Sequence, residues 1–113
     1  MRLAISPHGL GPLVERLNLF ARRVRQAGAR PFYSLPPIPE SDWKEPERAH
    51  PLAVLSRHLP TLLEMPVLEP EVPVYPDDAF FDSSYHLTQE GARFRTRALI
   101  VALRAQLADP SSR

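Results

Sequence analysis

The sequence predicts an α/β fold in which a short parallel sheet is flanked by helices. Two long segments, at about 11–27 and 89–108, carry apolar residues at helical spacing. A glycine turn and a short apolar segment at 30–35 follow the first helix, and this order is half of a βαβ unit. The 113 residues suffice for one small domain, which we place at 1–108, followed by a disordered tail at 109–113.

Composition excludes several functional classes. A net charge of +1 gives no general attraction to nucleic acid, so the arginines of the first helix are interpreted as a solvated face. No run approaches the roughly 20 apolar residues of a membrane span, and residues 1–9 lack the apolar core of a signal peptide. The chain as written is therefore expected to be cytoplasmic, while the compartment of the intact protein stays open.

The residue types that hold metals are sparse and poorly spaced. There is no cysteine, which excludes disulfides, thiolate catalysis and cysteine–metal sites. None of the four histidines has a spacing such as H-x-x-x-H to another. We therefore expect neither a metal ion nor a cofactor.

The first helix is expected from about 11 to 27. Pro12 suits its first turn, and Gly28 suits a left-handed residue that ends it. Its apolar stripe has intervals of four, three and four: Leu13, Leu17, Phe20 and Val24.

A strand is predicted at 30–35, where it stops before Pro36 and Pro37. Residues 38–50 have no apolar periodicity and are interpreted as a polar excursion. A second helix is expected at 51–64, with a kink or a break at Pro60. The proline-containing segments 65–68 and 72–75 are candidates for short edge strands.

The last helix is predicted at 89–108, with Thr88 as its N-cap. Gly91 stands where a glutamate or glutamine would complete a capping box. The predicted apolar face consists of Thr96, Leu99, Ile100, Leu103 and Leu107.

The loop before this helix carries the chemistry. Asp82 and His86 lie four residues apart, and such a pair can serve as the orienter and the base of a catalytic triad. We expect the two side chains to lie close together, near the helix N-terminus and the carboxyl edge of the strands. Asp77 and Asp78 are weaker candidates for the acid and are better explained as solvated turn residues.

The loop and the helix together resemble a known family. The run from Asp82 to Leu87 has the form D-x-x-Y-H-L, and it is followed by Gly91 and by the R-T-x-x-L pattern at 95–99. This order resembles the C-terminal part of the SGNH/GDSL hydrolase superfamily. The resemblance implies a three-layer, flavodoxin-like fold, with His86 as general base and Asp82 as its orienting acid. It also implies ester hydrolysis or O-acyl transfer, with an ester or an acylated saccharide as the substrate of the intact protein.

Parts of the family pattern are missing. There is no Gly-Asp-Ser nucleophile turn and no Gly-x-Asn block, and the sole asparagine, Asn18, lies in the first helix. The commoner D-x-x-H spacing would place the acid at Ser83, so Asp82 rests on a variant spacing. The hydroxyls of Ser34, Ser83 and Ser84 are better explained by local hydrogen bonds than by nucleophilic roles. We therefore expect the C-terminal segment of a longer SGNH-like protein, inactive by itself.

A second hypothesis remains open beside the enzymatic one. The chain is then a non-catalytic remnant or interaction module that pairs with another chain, either the missing N-terminal half or a second copy. In both cases the apolar faces of the helices at 13–24 and 96–107 are expected to stay partly exposed.

Overall fold

A computed structural model of the chain describes residues 7–109, so the predicted tail lies outside the described residues except for Asp109. Within this range the fold is mixed α/β, mostly helical, with one two-stranded parallel sheet. The elements in chain order are α1 (Pro7–Gln26), β1 (Ile38–Pro39), α2 (Glu40–Trp43), α3 (Pro46–Leu62), β2 (Val74–Tyr75), a 3₁₀ turn (Asp77–Ala79) and α4 (Gln89–Ala108).

The first and last helices follow the sequence prediction closely. Helix α4 has the predicted bounds, and the Thr88 side chain caps it by accepting a hydrogen bond from the Gly91 N–H. Helix α1 ends as predicted, because Gly28 adopts a left-handed φ of 86°. It begins earlier than predicted, at Pro7, so Pro12 lies in its second turn and leaves one helical hydrogen bond unmade.

The predicted strand at 30–35 is wrong. Only Tyr33 forms a bridge, in parallel with Val67, and the sheet itself pairs Ile38 with Val74 and Pro39 with Tyr75. Proline explains the short pairing, because it cannot donate to a ladder and it stands at 31, 36 and 37 and again at 66 and 73. The two candidate edge segments at 65–68 and 72–75 do pair, each over one or two residues.

The prediction that 38–50 is a polar excursion is also wrong. This segment holds β1, α2 and the start of α3. Helix α3 begins at Pro46, where the missing N–H costs nothing because the first helical position has no acceptor. It continues to Leu62 as one helix, so of the two alternatives predicted at Pro60, a kink or a break, the break is wrong.

The core lies beneath α1, and the helix is rotated relative to the predicted stripe. Ala21 of α1 is fully buried, Val14 and Leu17 pack against the core, and Leu13 and Phe20 are exposed. The other buried members of the core come from the segment after α1, from the end of α3 and from the residues just after α3: Leu35, Leu59, Leu63 and Met65. The expected partial exposure of apolar residues on α1 is thus confirmed.

Polar side chains tie α1 to the end of α3. The Asn18 amide donates to the Leu62 carbonyl at 3.0 Å and accepts from the Glu64 N–H at 2.7 Å. Arg22 forms an ion pair with the Glu64 carboxylate at 2.7 Å, and Arg25 donates to the Glu64 carbonyl. Both hydrogen-bonding ends of the sole asparagine are therefore engaged in holding two helices together.

A part-buried polar cluster holds α4 against the segment that follows α1. The Glu69 carboxylate accepts from the Ser34 hydroxyl at 2.8 Å and from the Leu35 N–H at 2.6 Å. Arg95 of α4 lies 3.3 Å from the same carboxylate and donates to the Ser34 hydroxyl and, at 2.7 Å, to the Leu35 carbonyl. The Arg95 and Glu69 side chains are only 12% and 13% exposed.

Candidate active site

Asp82 and His86 are brought together as the sequence predicts. The His86 Nδ1 atom lies 2.7 Å from the Asp82 Oδ1 atom, and the two side chains are 59% and 54% exposed. An ionised carboxylate can only accept a hydrogen bond, so Nδ1 carries the proton. In the neutral ring, Nε2 is then the acceptor, and within 10–109 no hydrogen bond joins it to any residue.

The backbone closes the loop that carries this pair. Phe80 and Leu87 form an antiparallel bridge, and the Phe81 N–H donates to the His86 carbonyl at 3.1 Å. Below the bridge, the Thr88 N–H donates to the Ala79 carbonyl at 2.7 Å. The two ends of the loop are thereby joined, which fixes how far the Asp82 and His86 backbones can separate.

The loop serine that the sequence singled out at 83 bonds within the loop. The Ser83 carbonyl accepts from the His86 N–H at 3.4 Å, and its hydroxyl accepts from the Tyr85 N–H at 3.2 Å. Across the part of the chain that the structure describes, no serine hydroxyl bonds to the His86 ring. The two remaining candidate acids do not bond to it either, and Asp77 instead accepts from the Ser41 N–H at 2.9 Å.

An aromatic ring flanks the imidazole. Phe81 stacks on His86 with 5.7 Å between ring centroids and 22° between ring planes. The Phe81 ring is itself exposed, so it forms an apolar wall on one side of the imidazole. Sequence reasoning did not assign this role to Phe81, although its position next to Asp82 was visible.

Helix α4 begins against the base of the loop. A Cβ atom at Gly91 would lie 2.5 Å from the Ala79 carbonyl oxygen, so this position admits no side chain. The same carbonyl accepts the Thr88 N–H, so Gly91 lets the helix approach the bond that closes the loop. Sequence reasoning missed this contact, for which the only local signal was a glycine inside a helix.

A cavity of about 390 Å³ lies between the 3₁₀ turn and the first turns of α4. Its lining residues are Tyr75, Pro76, Asp78, Ala79, Thr88, Glu90, Gly91 and Phe94. The Tyr75 ring meets Phe94 edge-on at 5.1 Å, and its buried hydroxyl has no hydrogen-bond partner among the described residues. The cavity shares Ala79 and Thr88 with the base of the loop and therefore lies directly beside it.

Comparisons with protein families, with curated proteins and with solved structures found no match to this chain. Within residues 7–109, no helix is both long enough and apolar enough to cross a bilayer. Among the side chains that the structure describes, those of 10–109, no group of three histidine, aspartate or glutamate residues is arranged to bind a metal ion.

Proposed function

We propose that this chain supplies the general base and its orienting carboxylate to a serine-dependent ester hydrolase or O-acyltransferase of the SGNH type. The observation that carries the proposal is the 2.7 Å contact between His86 Nδ1 and Asp82 Oδ1, with Nε2 open. Backbone hydrogen bonds join the two ends of the loop, and the Phe81 ring stacks on the imidazole. The backbone and the side chain of His86 are therefore both restrained.

The chemistry follows from the protonation state of the ring. Nε2 takes the proton of a serine hydroxyl as its oxygen attacks an ester carbonyl, and it then gives that proton to the departing alkoxide. Water, or an acceptor hydroxyl in acyl transfer, attacks the acyl-serine with the same base. Asp82 keeps the proton on Nδ1 throughout and stabilises the imidazolium that forms.

The serine and the oxyanion donors are proposed to come from another segment or another chain. The sequence has no Gly-Asp-Ser turn and no Gly-x-Asn block. Asn18 is engaged with α3, and the Ser34 hydroxyl lies in the cluster with Glu69 and Arg95. More than half of the His86 side chain is exposed, which leaves room for a second segment to bring a serine to Nε2.

The finer fold assignment, a part of a three-layer flavodoxin-like domain, belongs to the same proposal. Two features support it. Both pairings between distant segments, β1 with β2 and Tyr33 with Val67, are parallel. The loop with Asp82 and His86 follows the carboxyl end of β2 through the 3₁₀ turn, and open α/β folds bind ligands at this edge.

The isolated chain is expected to have no enzymatic esterase activity. A base without a nucleophile and without oxyanion donors cannot form an acyl-enzyme, and loss of one oxyanion donor alone costs about 10²–10³ in turnover. The measurement is hydrolysis of p-nitrophenyl butyrate together with labelling by a fluorophosphonate probe. Turnover abolished by His86→Ala, or stoichiometric labelling of Ser34, Ser83 or Ser84, would contradict the assignment of the nucleophile to another segment.

The second experiment combines the chain with the polypeptide encoded by the DNA upstream of its first codon. We expect that polypeptide to carry a Gly-Asp-Ser-like turn and a Gly-x-Asn block, and the combined protein to be labelled at the new serine. Labelling should fall by about 10³-fold or more with His86→Ala, whereas Asp78→Asn should leave it unchanged. A combined protein that has no reactive serine, or whose serine labels equally in His86→Ala, refutes the proposal.

A further inference from the structure

Helix α4 faces its own chain with polar as well as apolar residues and leaves several apolar side chains exposed. Six buried or half-buried residues form its inner face: Gly91, Arg95, Leu99, Ala102, Leu103 and Gln106. Two of them make polar contacts, because Arg95 pairs with Glu69 and the Gln106 carbonyl accepts from Arg30. The helix is therefore held to its own chain in part by hydrogen bonds and an ion pair, while much of its apolar surface faces solvent.

The solvent side of α4 carries a row that we name the α4 seam. Its five members are all exposed: Phe94, Ala98, Val101, Ala105 and Ala108. Phe94 and Val101 are 60% and 68% exposed. The intervals of four, three, four and three match the repeat by which two helices pack along their length. An apolar row of this kind, left in water, is typical of a surface that binds a partner.

The charge beside the seam indicates the kind of partner. Arg97 and Arg104 are exposed, lie seven residues apart and flank the seam on one side. Among residues 7–109, neither forms an ion pair. Helix α4 as a whole has four arginines against one glutamate. In helix pairs these flanking positions meet charged residues of the partner and decide which partner is accepted.

We propose that the α4 seam binds an amphipathic helix of another protein, with an apolar stripe flanked by glutamates or aspartates. Antiparallel pairing with a second copy of this chain is disfavoured, because it would set Arg97 against Arg104. A membrane surface is disfavoured because three of the five seam residues are alanines, which admit a close helix but insert little apolar volume into lipid. The seam contains neither Asp82 nor His86, so this proposal is independent of the catalytic one.

The test uses the full chain and two synthetic helical peptides of three heptads. Both peptides carry leucine and isoleucine at the positions that would face the α4 seam. At the positions beside this apolar stripe, one peptide has glutamate and the other has lysine. Repulsion between like charges keeps each peptide from pairing with itself. Fluorescence anisotropy should show that the acidic peptide binds at least about tenfold more tightly than the basic one, with a preference that weakens in salt.

Variants separate the seam from the rest of the helix. Val101→Asp should weaken binding of the acidic peptide by about tenfold or more, whereas Ile100→Asp, an equally polar change on another face, should change it by less than about threefold. Arg97→Glu with Arg104→Glu should reverse the preference toward the basic peptide. Circular dichroism confirms that each variant is folded.

Three results would overturn the proposal. The first is equal or absent binding of both peptides. The second is a stable dimer that Val101→Asp dissociates, since a second copy then covers the seam. The third is adsorption to vesicles of phosphatidylcholine and phosphatidylglycerol that Val101→Asp abolishes, without binding of either peptide.

Discussion

Replacing Arg95 by methionine is expected to lower the free energy of unfolding by about 2–4 kcal/mol, because it leaves the mostly buried Glu69 carboxylate, 13% exposed, without its counter-charge. Methionine keeps most of the side-chain volume, so little of the loss comes from a cavity. The Leu35 N–H and the Ser34 hydroxyl still reach Glu69, but neither neutralises it. The measurement is urea unfolding followed by circular dichroism.

Two further variants make this prediction specific. Arg22→Met removes a comparable ion pair whose side chains are 52% and 45% exposed, and it should cost at most about 1 kcal/mol. Combining Arg95→Met with Glu69→Gln should recover part of the loss, since no unpaired charge then remains. Equal effects of Arg95→Met and Arg22→Met would mean that the Glu69–Arg95 pair is solvated in solution.

Gly91→Ala is expected to destabilise the protein by about 1–3 kcal/mol, although glycine to alanine inside a helix ordinarily stabilises it. The added methyl would lie 2.5 Å from the Ala79 carbonyl oxygen, which is fixed by the Thr88 N–H. Either α4 or the base of the loop must then move. Urea unfolding gives the energy, and the amide resonances of 79–91 report which segment shifts.

Gly11 provides the matched control for this substitution. It lies inside α1, and a Cβ atom there would meet nothing within 4 Å. Gly11→Ala should therefore stabilise the protein by about 0.5–1 kcal/mol. A stabilising effect of the same size at Gly91 would show that α4 does not press against the base of the loop.

Helix α4 could be predicted because its signals are local. A capping residue at Thr88 and twenty residues without proline define both ends of the helix within its own sequence. The segment 38–50 offers no such signal, since β1 has two residues, one of them Pro39, and α2 has only four. Elements this short have no periodicity to read, and their conformation is set by contacts with β2, which is remote in sequence.

The orientation of α1 and α4 about their own axes shows a second limit of prediction from sequence. Hydrophobic spacing predicts that a helix has an apolar face, and α4 has apolar residues on more than one side. On α4, the side that faces the rest of the chain is the one that carries Arg95, which pairs with Glu69. On α1, it is the side that carries Asn18, whose amide makes two hydrogen bonds at the end of α3. Such polar contacts join residues more than 20 positions apart and leave no mark in a local pattern.

The pairing of Asp82 with His86 was predictable for the opposite reason. The two residues are four positions apart in the chain, so a short loop suffices to bring their side chains together. The stacked Phe81 ring, the bridge between Phe80 and Leu87 and the close approach of Gly91 to Ala79 depend on how the loop closes. The sequence therefore predicts which residues form the pair, whereas only the structure shows the contacts that restrain their side chains and backbone.

The central claim is that Asp82 holds the proton of His86 on Nδ1 and leaves Nε2 free to act as a base. It is tested by the ¹⁵N chemical shifts of the His86 ring at alkaline pH, where imidazole is neutral. We expect the Nδ1-protonated tautomer to dominate in the wild-type chain and in the Asp78→Asn control, and to lose that dominance in Asp82→Ala. A dominant Nε2-protonated tautomer in the wild type, or shifts that Asp82→Ala leaves unchanged, would contradict the account.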